Sequence, residues 1–166
     1  MIALLFPLLF SLHEREPEEI RLFDLVNEYR VKNGKTALRY CDSLSYVAET
    51  HSIDLFLNFK YDNPCSVHTW SPSNRWTGGC IPEGKHNKWD IMYNKPKELL
   101  GMDVIGYEIA IMNFPAKWEM RPQDAFKWWI NSTPHRNCIL EKGFSKPFKR
   151  MGVSIYKNVS TIWFSE

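Results

Sequence analysis

The stretch MGVSIYKNVSTIWF, residues 151–164, predicts two antiparallel strands joined by a tight turn. Apolar residues occupy alternate positions of 151–156, which is the two-residue period of a half-buried strand. Asn158 favours a turn, and the β-branched and aromatic residues of 161–164 are typical of a partner strand. The sequence therefore predicts a β-hairpin here.

Upstream of the hairpin, helical and strand patterns alternate. Four segments are predicted to be regular: a helix from Pro17 to a stop at Asn33-Gly34, a helix capped by Asp42 or Ser43 and running through Leu55, a strand over 103–112, and a helix from Pro122 that Pro134 stops. Helices interleaved with strands and a hairpin predict a mixed α/β or α+β sandwich, not a repeating βαβ sheet.

The helical periodicity assigns faces to these segments. In the first helix Leu22 and Val26 lie on the apolar stripe, and Arg30 is expected on the opposite side. In the third helix Trp128 and Trp129 are both expected to face inward.

Residues 59–97 carry turn signals in quick succession, and helical periodicity disappears. Trp70, Trp76 and Trp89 are spaced through this segment. Two interpretations stay open: the three rings form a contact surface for a ligand, or they pack the loop onto the core.

Composition limits the classes of function. The chain has 166 residues, which fits one domain, and its formal net charge is +2. This near balance gives no reason to expect a nucleic-acid partner. With 44% hydrophobic residues, the chain can bury enough apolar surface to fold.

The first residues form a separate segment. Positions 2–10 are all apolar, too few to span a bilayer but suited to a secretory signal. No Lys or Arg precedes the apolar run, and no small-residue cleavage site follows it. We therefore predict either a signal or an N-terminal segment over 1–17 that packs on the core, and one domain over 18–166.

The four cysteines form no CxxC pair, which argues against a zinc ribbon. Three pairings are possible, and Cys65 with Cys80 is favoured because they flank one turn-rich stretch, which leaves Cys41 with Cys138. In a reducing compartment all four would be small buried thiols. Two sequons, at Asn131 and Asn158, are permissible glycan sites.

Two polar residues lie in apolar patterns. His51 is on the inner stripe of the second helix, and we interpret it as a core histidine bonded to backbone. Glu108 lies within the strand 103–112 and needs a partner, since an unpaired buried charge is costly.

Six segments, taken in order, resemble the CAP superfamily of cysteine-rich secretory proteins, insect venom antigen 5 and plant pathogenesis-related 1 proteins. They are LVNEYRVKNG (25–34), L44-x-x-V-A48-x-x-H51, VHTW (67–70), GYEIA (106–110), WWINSTPHRNCIL (128–140) and MGVSIY (151–156). The resemblance runs from about residue 20 to 164, and the form W-x-x-S-x-x-H-R-x-x-I-L resembles the branch common in microbes.

This resemblance implies an α+β fold, a three-layer α-β-α sandwich with a central antiparallel sheet, and secretion. It also implies a cleft with two histidines and two acids. His68, Glu108 and His135 match three of these positions, whereas Ser132 stands where many relatives carry the second glutamate. The residues flanking the glutamate are changed too, to Tyr107 and Ile109. We predict that His68, Glu108 and His135 converge in one cleft with Ser132 at its edge.

Two interpretations of this cleft stay open. His68 and His135, with Glu108, have the donor atoms that suit zinc or another divalent metal. Alternatively, Glu108 orients a histidine in a hydrogen-bonded network without metal.

The resemblance implies a secreted binding module, for defence or host interaction, that takes a sterol, a lipid or a cell-surface ligand and contacts membranes only peripherally. The alternative is a metal-assisted extracellular hydrolase that uses His68, Glu108 and His135, or Ser132 as a nucleophile beside His135. Because the sequence has no HExxH and no G-x-S-x-G motif, we favour the binding module.

Overall fold

The fold is a layered α+β sandwich, as expected. The computed structural model describes residues 16–62, 64–84, 88–114 and 118–166. Its elements are α1 (Pro17–Lys32), β1 (Arg39–Tyr40), α2 (Asp42–Asn58), α3 (Asp90–Tyr93), α4 (Lys95–Leu100), β2 (Tyr107–Met112), α5 (Pro122–Asn131), α6 (Thr133–Ile139), β3 (Arg150–Tyr156) and β4 (Val159–Ser165). The predicted signal or N-terminal segment over 1–17 lies almost wholly outside the described residues.

The strands described form one sheet in the order β1-β3-β4-β2. β3 and β4 are the predicted hairpin, joined at Lys157 and Asn158, and β2 pairs antiparallel with β4. The two-residue β1 adds to β3 in parallel, so the antiparallel sheet carries one short parallel edge strand. The expected sheet architecture is confirmed with that addition.

On one face of the sheet α2 packs against β3 and β4. Gly152 of β3 lets the helix approach closely, because a Cβ there would lie 2.1 Å from the carbonyl carbon of Leu44. This face buries one apolar cluster, composed of Leu44, Val47, Ala48, Trp70, Ile81, Met92 and Trp163.

The other face is covered by α1 and α5. It buries a second cluster, which includes Leu22, Val26, Ala125, Trp129, Ile139, Met151, Val153, Ile162 and Phe164. Two face assignments from the sequence are wrong. Trp128 is 49% exposed, and Arg30 is buried because its guanidinium donates to Ile139 O at 2.6 Å and to Glu141 Oε1 at 2.7 Å.

The third predicted helix is divided in two. α5 ends at Asn131, Ser132 is extended, and Pro134 lies in the first turn of α6 rather than ending a helix. The break redirects the chain, so that His135 and Cys138 lie on a separate helix.

The segment 59–97 is mostly irregular, as predicted, but it also contains α3 and the start of α4. These helices are too short to produce a visible periodicity. The Cys65–Cys80 disulfide braces the segment, which confirms that pairing. Trp70 is 1% exposed and packs in the core, so it offers no contact surface.

The second predicted disulfide is wrong, because Cys41 and Cys138 are free thiols. Cys41 packs on the α2 face of the sheet and Cys138 belongs to the cluster on the opposite face, so the sheet separates them. Asn158 is also no glycan site in the folded protein, since it is 1% exposed and its Nδ2 donates to Asn113 O at 2.7 Å. Asn131 is exposed.

Within the described ranges, no helix combines the length and the apolar character needed to cross a bilayer.

Candidate functional site: a cleft beside an edge strand

Glu108 lies on β2, which forms the edge of the described sheet opposite β1. It is the register partner of Trp163, which is in turn paired with Gly152, so all three residues face α2. Glu108 is only 5% exposed, and its carboxylate needs partners on that face.

Two imidazoles supply those partners. His51 of α2 contacts Glu108 Oε1 through Nδ1, and His68 of the disulfide-braced loop places its Nδ1 2.8 Å from Oε2. Burial alone would raise the pKa of Glu108, but the charge and hydrogen bonds of His51 and His68 outweigh burial and lower it to about 2. Glu108 is therefore a carboxylate at neutral pH.

His51 is fully buried, and its Nε2 donates to Thr69 O at 3.0 Å, which confirms a core histidine bonded to backbone. Its ring stacks on Trp70 at 4.2 Å between centroids, and Lys95 Nζ lies 5.1 Å from the centroid of that indole. The contact with Glu108 was missed from the sequence. The signal was present, since a histidine on an apolar stripe and a carboxylate in an apolar strand each needed a partner.

His135 approaches the same cleft from α6. Its Nδ1 lies 2.6 Å from Ser132 Oγ. Its ring packs against Trp128 in a T-shaped arrangement, with 4.9 Å between the ring centroids. Burial, with a smaller contribution from nearby His68, lowers the pKa of His135 to about 4. His135 is therefore a neutral imidazole at physiological pH.

The cleft itself is a cavity of about 350 Å³, and His68, Glu108 and His135 all line it. The structure thus brings these three residues together, with Ser132 behind His135. Aromatic rings form much of the remaining wall: Trp89, Tyr93, Tyr107 and Phe144. Successive rings are in contact, from His68–Trp89 at 5.3 Å through Tyr93–Tyr107 at 5.4 Å to Tyr107–Phe144 at 4.9 Å. An apolar wall with a few polar groups is the usual character of a small-molecule site.

The Cysteine-rich secretory protein (CAP) family profile matches residues 23–163, nearly the whole chain. The chain belongs to this family. None of the curated proteins matches the sequence significantly.

Three solved structures are similar to this CAP domain. A cysteine-rich secretory protein from Staphylococcus aureus is 14% identical with a TM-score of 0.61, over 93% of this chain and 40% of that one. An extracellular protein containing an SCP domain from Bacillus anthracis is 19% identical with a TM-score of 0.60, over 90% and 40%. An outer surface protein from Borrelia burgdorferi is 14% identical with a TM-score of 0.60, over 92% and 96%. At these identities the likeness shows the fold, and the chain spans 40% of the first two proteins.

The donor atoms of the cleft suit a metal in part. Nδ1 of His68 and Nδ1 of His135 each contact an oxygen, which leaves the Nε2 atom of each ring for a ligand. Both oxygens of Glu108 are engaged by imidazoles, so this carboxylate holds the rings of His51 and His68. In the part of the chain described, no group of three or more His, Cys, Asp or Glu is arranged to hold a metal ion.

Proposed function

We propose that this CAP domain is a secreted binding module whose cleft takes an apolar ligand with one polar end. The observation that carries the proposal is the cavity of about 350 Å³, in which the rings of Trp, Tyr and Phe residues form much of the wall and the imidazoles of His68 and His135 form a polar end. Its volume falls in the range of small-molecule sites, roughly 300–1,000 Å³. The apolar body of a sterol or a lipid would contact Tyr107 and Phe144, and its polar group would meet His68 and His135.

Secretion is part of the proposal. Similar folds occur in proteins described as extracellular, from Bacillus anthracis, and as outer surface, from Borrelia burgdorferi. The Cys65–Cys80 disulfide is also expected in an oxidising compartment. We propose peripheral contact with membranes and no nucleic-acid partner.

A divalent metal such as zinc is compatible with this cleft. His68 and His135 would hold it, Glu108 would orient the His68 ring, and Ser132 would orient the His135 ring. The ion would supply a Lewis-acidic pole for an oxygen of the ligand.

The hydrolase alternative is less well supported. It needs Glu108 as a general base, but this carboxylate is buried, accepts hydrogen bonds at both oxygens, and has a pKa lowered to about 2. A base works best when its pKa is near the operating pH. We therefore propose a binding role without turnover.

Titration with two named probes tests the proposal. Dehydroergosterol, a fluorescent sterol, is followed through energy transfer from Trp89 in the cleft wall, and 1-dodecanol is followed by calorimetry. Saturable binding of either probe at one molecule per chain, with energy transfer reduced in Trp89→Ala and kept in Trp118→Ala, supports the cleft. Trp118 is a suitable control because it is 69% exposed and does not line the cavity.

Two further assays separate the alternatives. Calorimetric titration with zinc, in wild type and His68→Ala, tests the metal. Incubation with peptide, ester and glycan substrates tests turnover, and activity that His135→Ala abolishes would favour the hydrolase.

A further inference from the structure

His51 is a buried ionisable group to which the proposed binding role assigns no task. Its side chain is fully buried on α2, yet both ring nitrogens meet oxygens: Nε2 meets Thr69 O, and Nδ1 meets Glu108 Oε1. Contacts on both sides and a stacked Trp70 fix this ring in one orientation.

The hydrogen-bond partners of His51 determine where protons lie between His51 and Glu108. A carbonyl oxygen only accepts hydrogen bonds, so His51 Nε2 carries a proton. The contact between Nδ1 and Glu108 Oε1 holds a second proton, because two lone pairs would repel each other at that distance. Whichever atom bears that proton, Glu108 Oε1 is satisfied.

The second oxygen of Glu108, Oε2, determines which ring nitrogen of His68 bears a proton. With the first contact satisfied, Oε2 is left as an acceptor, so His68 donates to it from Nδ1 across 2.8 Å. A proton on Oε2 instead would leave a buried His51 imidazolium beside a neutral acid, which is costly. In its neutral form His68 therefore bears its proton on Nδ1, which leaves Nε2 as the unprotonated nitrogen facing the cleft.

We propose that His51 is a positioning residue: acting through Glu108, it holds His68 in the Nδ1–H tautomer and so presents an unprotonated Nε2 to the ligand. This role also predicts which polar group the ligand carries, and that prediction rests on the proposed function. A bare Nε2 accepts a hydrogen bond, so the cleft prefers an apolar ligand that ends in a hydroxyl over one that ends in a carboxylate.

The first test needs only the wild-type protein. Long-range ¹H–¹⁵N correlation spectra at neutral pH show which ring nitrogen of each histidine bears a proton. We expect His68 to bear its proton on Nδ1 alone and His51 to bear one on Nε2. A His68 ring protonated on Nε2 would overturn the inference without any variant.

Variants test the role of His51. His51→Phe keeps a ring beside Trp70 but removes a donor that keeps Glu108 ionised. Buried Glu108 can then take up a proton on Oε2 and donate it to His68 Nδ1, so we expect a mixture of His68 tautomers and about a tenfold weaker affinity for 1-dodecanol. His51→Asn places an amide donor where Nδ1 stood and should restore the Nδ1–H form. An unchanged His68 tautomer in His51→Phe would contradict the inference.

Ser52→Ala is the matched control, because Ser52 is the next residue on α2, is equally buried, and bonds Thr161 rather than Glu108. It should leave the His68 spectrum unchanged. Comparing the affinities of wild type for 1-dodecanol and dodecanoate tests the ligand class. Tighter binding of dodecanoate would overturn the predicted preference for a hydroxyl.

The two proposals fail in different ways. If His68 has the predicted tautomer but neither probe binds, the proposed function fails and the role of His51 stands. If 1-dodecanol binds equally to wild type and His51→Phe, with the same His68 spectrum, the role of His51 fails and the binding module stands.

Discussion

Ser132 Oγ lies 2.6 Å from His135 Nδ1. The serine occupies the extended residue between α5 and α6, so the break between the helices creates this contact. A short neutral hydroxyl here fixes the His135 ring without adding a charge to the cleft.

Removing that hydroxyl should have a measurable cost. We expect Ser132→Ala to lower the free energy of unfolding by about 1 kcal/mol, the typical value of one neutral hydrogen bond. Urea denaturation measures the change. Ser43→Ala is the control, since Ser43 is exposed at the start of α2, and it should change stability by less than about 0.5 kcal/mol. Equal effects of the two substitutions would argue against the contact.

Replacement of Glu108 should be far more damaging. Glu108→Leu leaves Nδ1 of His51 and Nδ1 of His68 without their acceptor in a buried site, and we expect a loss of about 3 kcal/mol. Glu83→Leu tests whether this cost is specific, because Glu83 lines the same cleft but is exposed. A Glu108→Leu protein as stable as wild type would show that the carboxylate is not held between two imidazoles.

His135 should make stability depend on pH. Its pKa is about 4 in the folded chain and about 6.5 when unfolded, so between these values the unfolded chain binds more protons. Stability contributed by His135 is therefore complete above pH 6.5 and falls as the pH drops towards 4, by roughly 3 kcal/mol in all. Denaturation series at several pH values, for wild type and His135→Gln, measure the contribution of His135 to the free energy of unfolding. Parallel pH profiles for the two proteins would contradict the lowered pKa.

The two free cysteines predict a simple chemical result. Unfolded under non-reducing conditions, the chain should expose two reactive thiols, Cys41 and Cys138, while Cys65 and Cys80 stay linked. In the folded protein Cys138 should react slowly, because burial raises its pKa to about 12. Thiol titration with peptide mapping by mass spectrometry checks both statements. Absence of any free thiol after unfolding would restore the Cys41–Cys138 pairing.

Local patterns in the sequence predicted the parts of the fold that depend on local physics. The hairpin of β3 and β4, helix α1 up to Lys32, and the strand that carries Glu108 all follow from short-range periodicity and turn residues. Arg30 and Trp128 were assigned to the wrong sides. For Arg30 the reason is that periodicity cannot show that the carbonyl oxygens of Thr36 and Ile139 accept hydrogen bonds from a buried guanidinium.

The candidate site was predictable where its residues match the family pattern. His68, Glu108 and His135 line one cleft. His51, which contacts Glu108 together with His68, lies 57 residues before Glu108 in the sequence, so local patterns indicate only that it is a core residue. Of the aromatic wall, only Trp89 was a candidate from the sequence. Tyr93 and Phe144 were missed, because they are brought to one wall, on either side of Tyr107, only by the tertiary fold.

The central claim, that an apolar molecule binds in the cleft walled by Tyr107 and Phe144, is tested most directly by filling the cleft. Phe144→Trp adds volume to its wall, whereas Phe114→Trp makes the same change at a residue that is 40% exposed and lies outside the cavity. In a titration with dehydroergosterol, wild type and Phe114→Trp should bind one molecule per chain with the same affinity, and Phe144→Trp should bind at least about tenfold more weakly. Equal binding by all three proteins, or no saturable binding by wild type, would contradict the account.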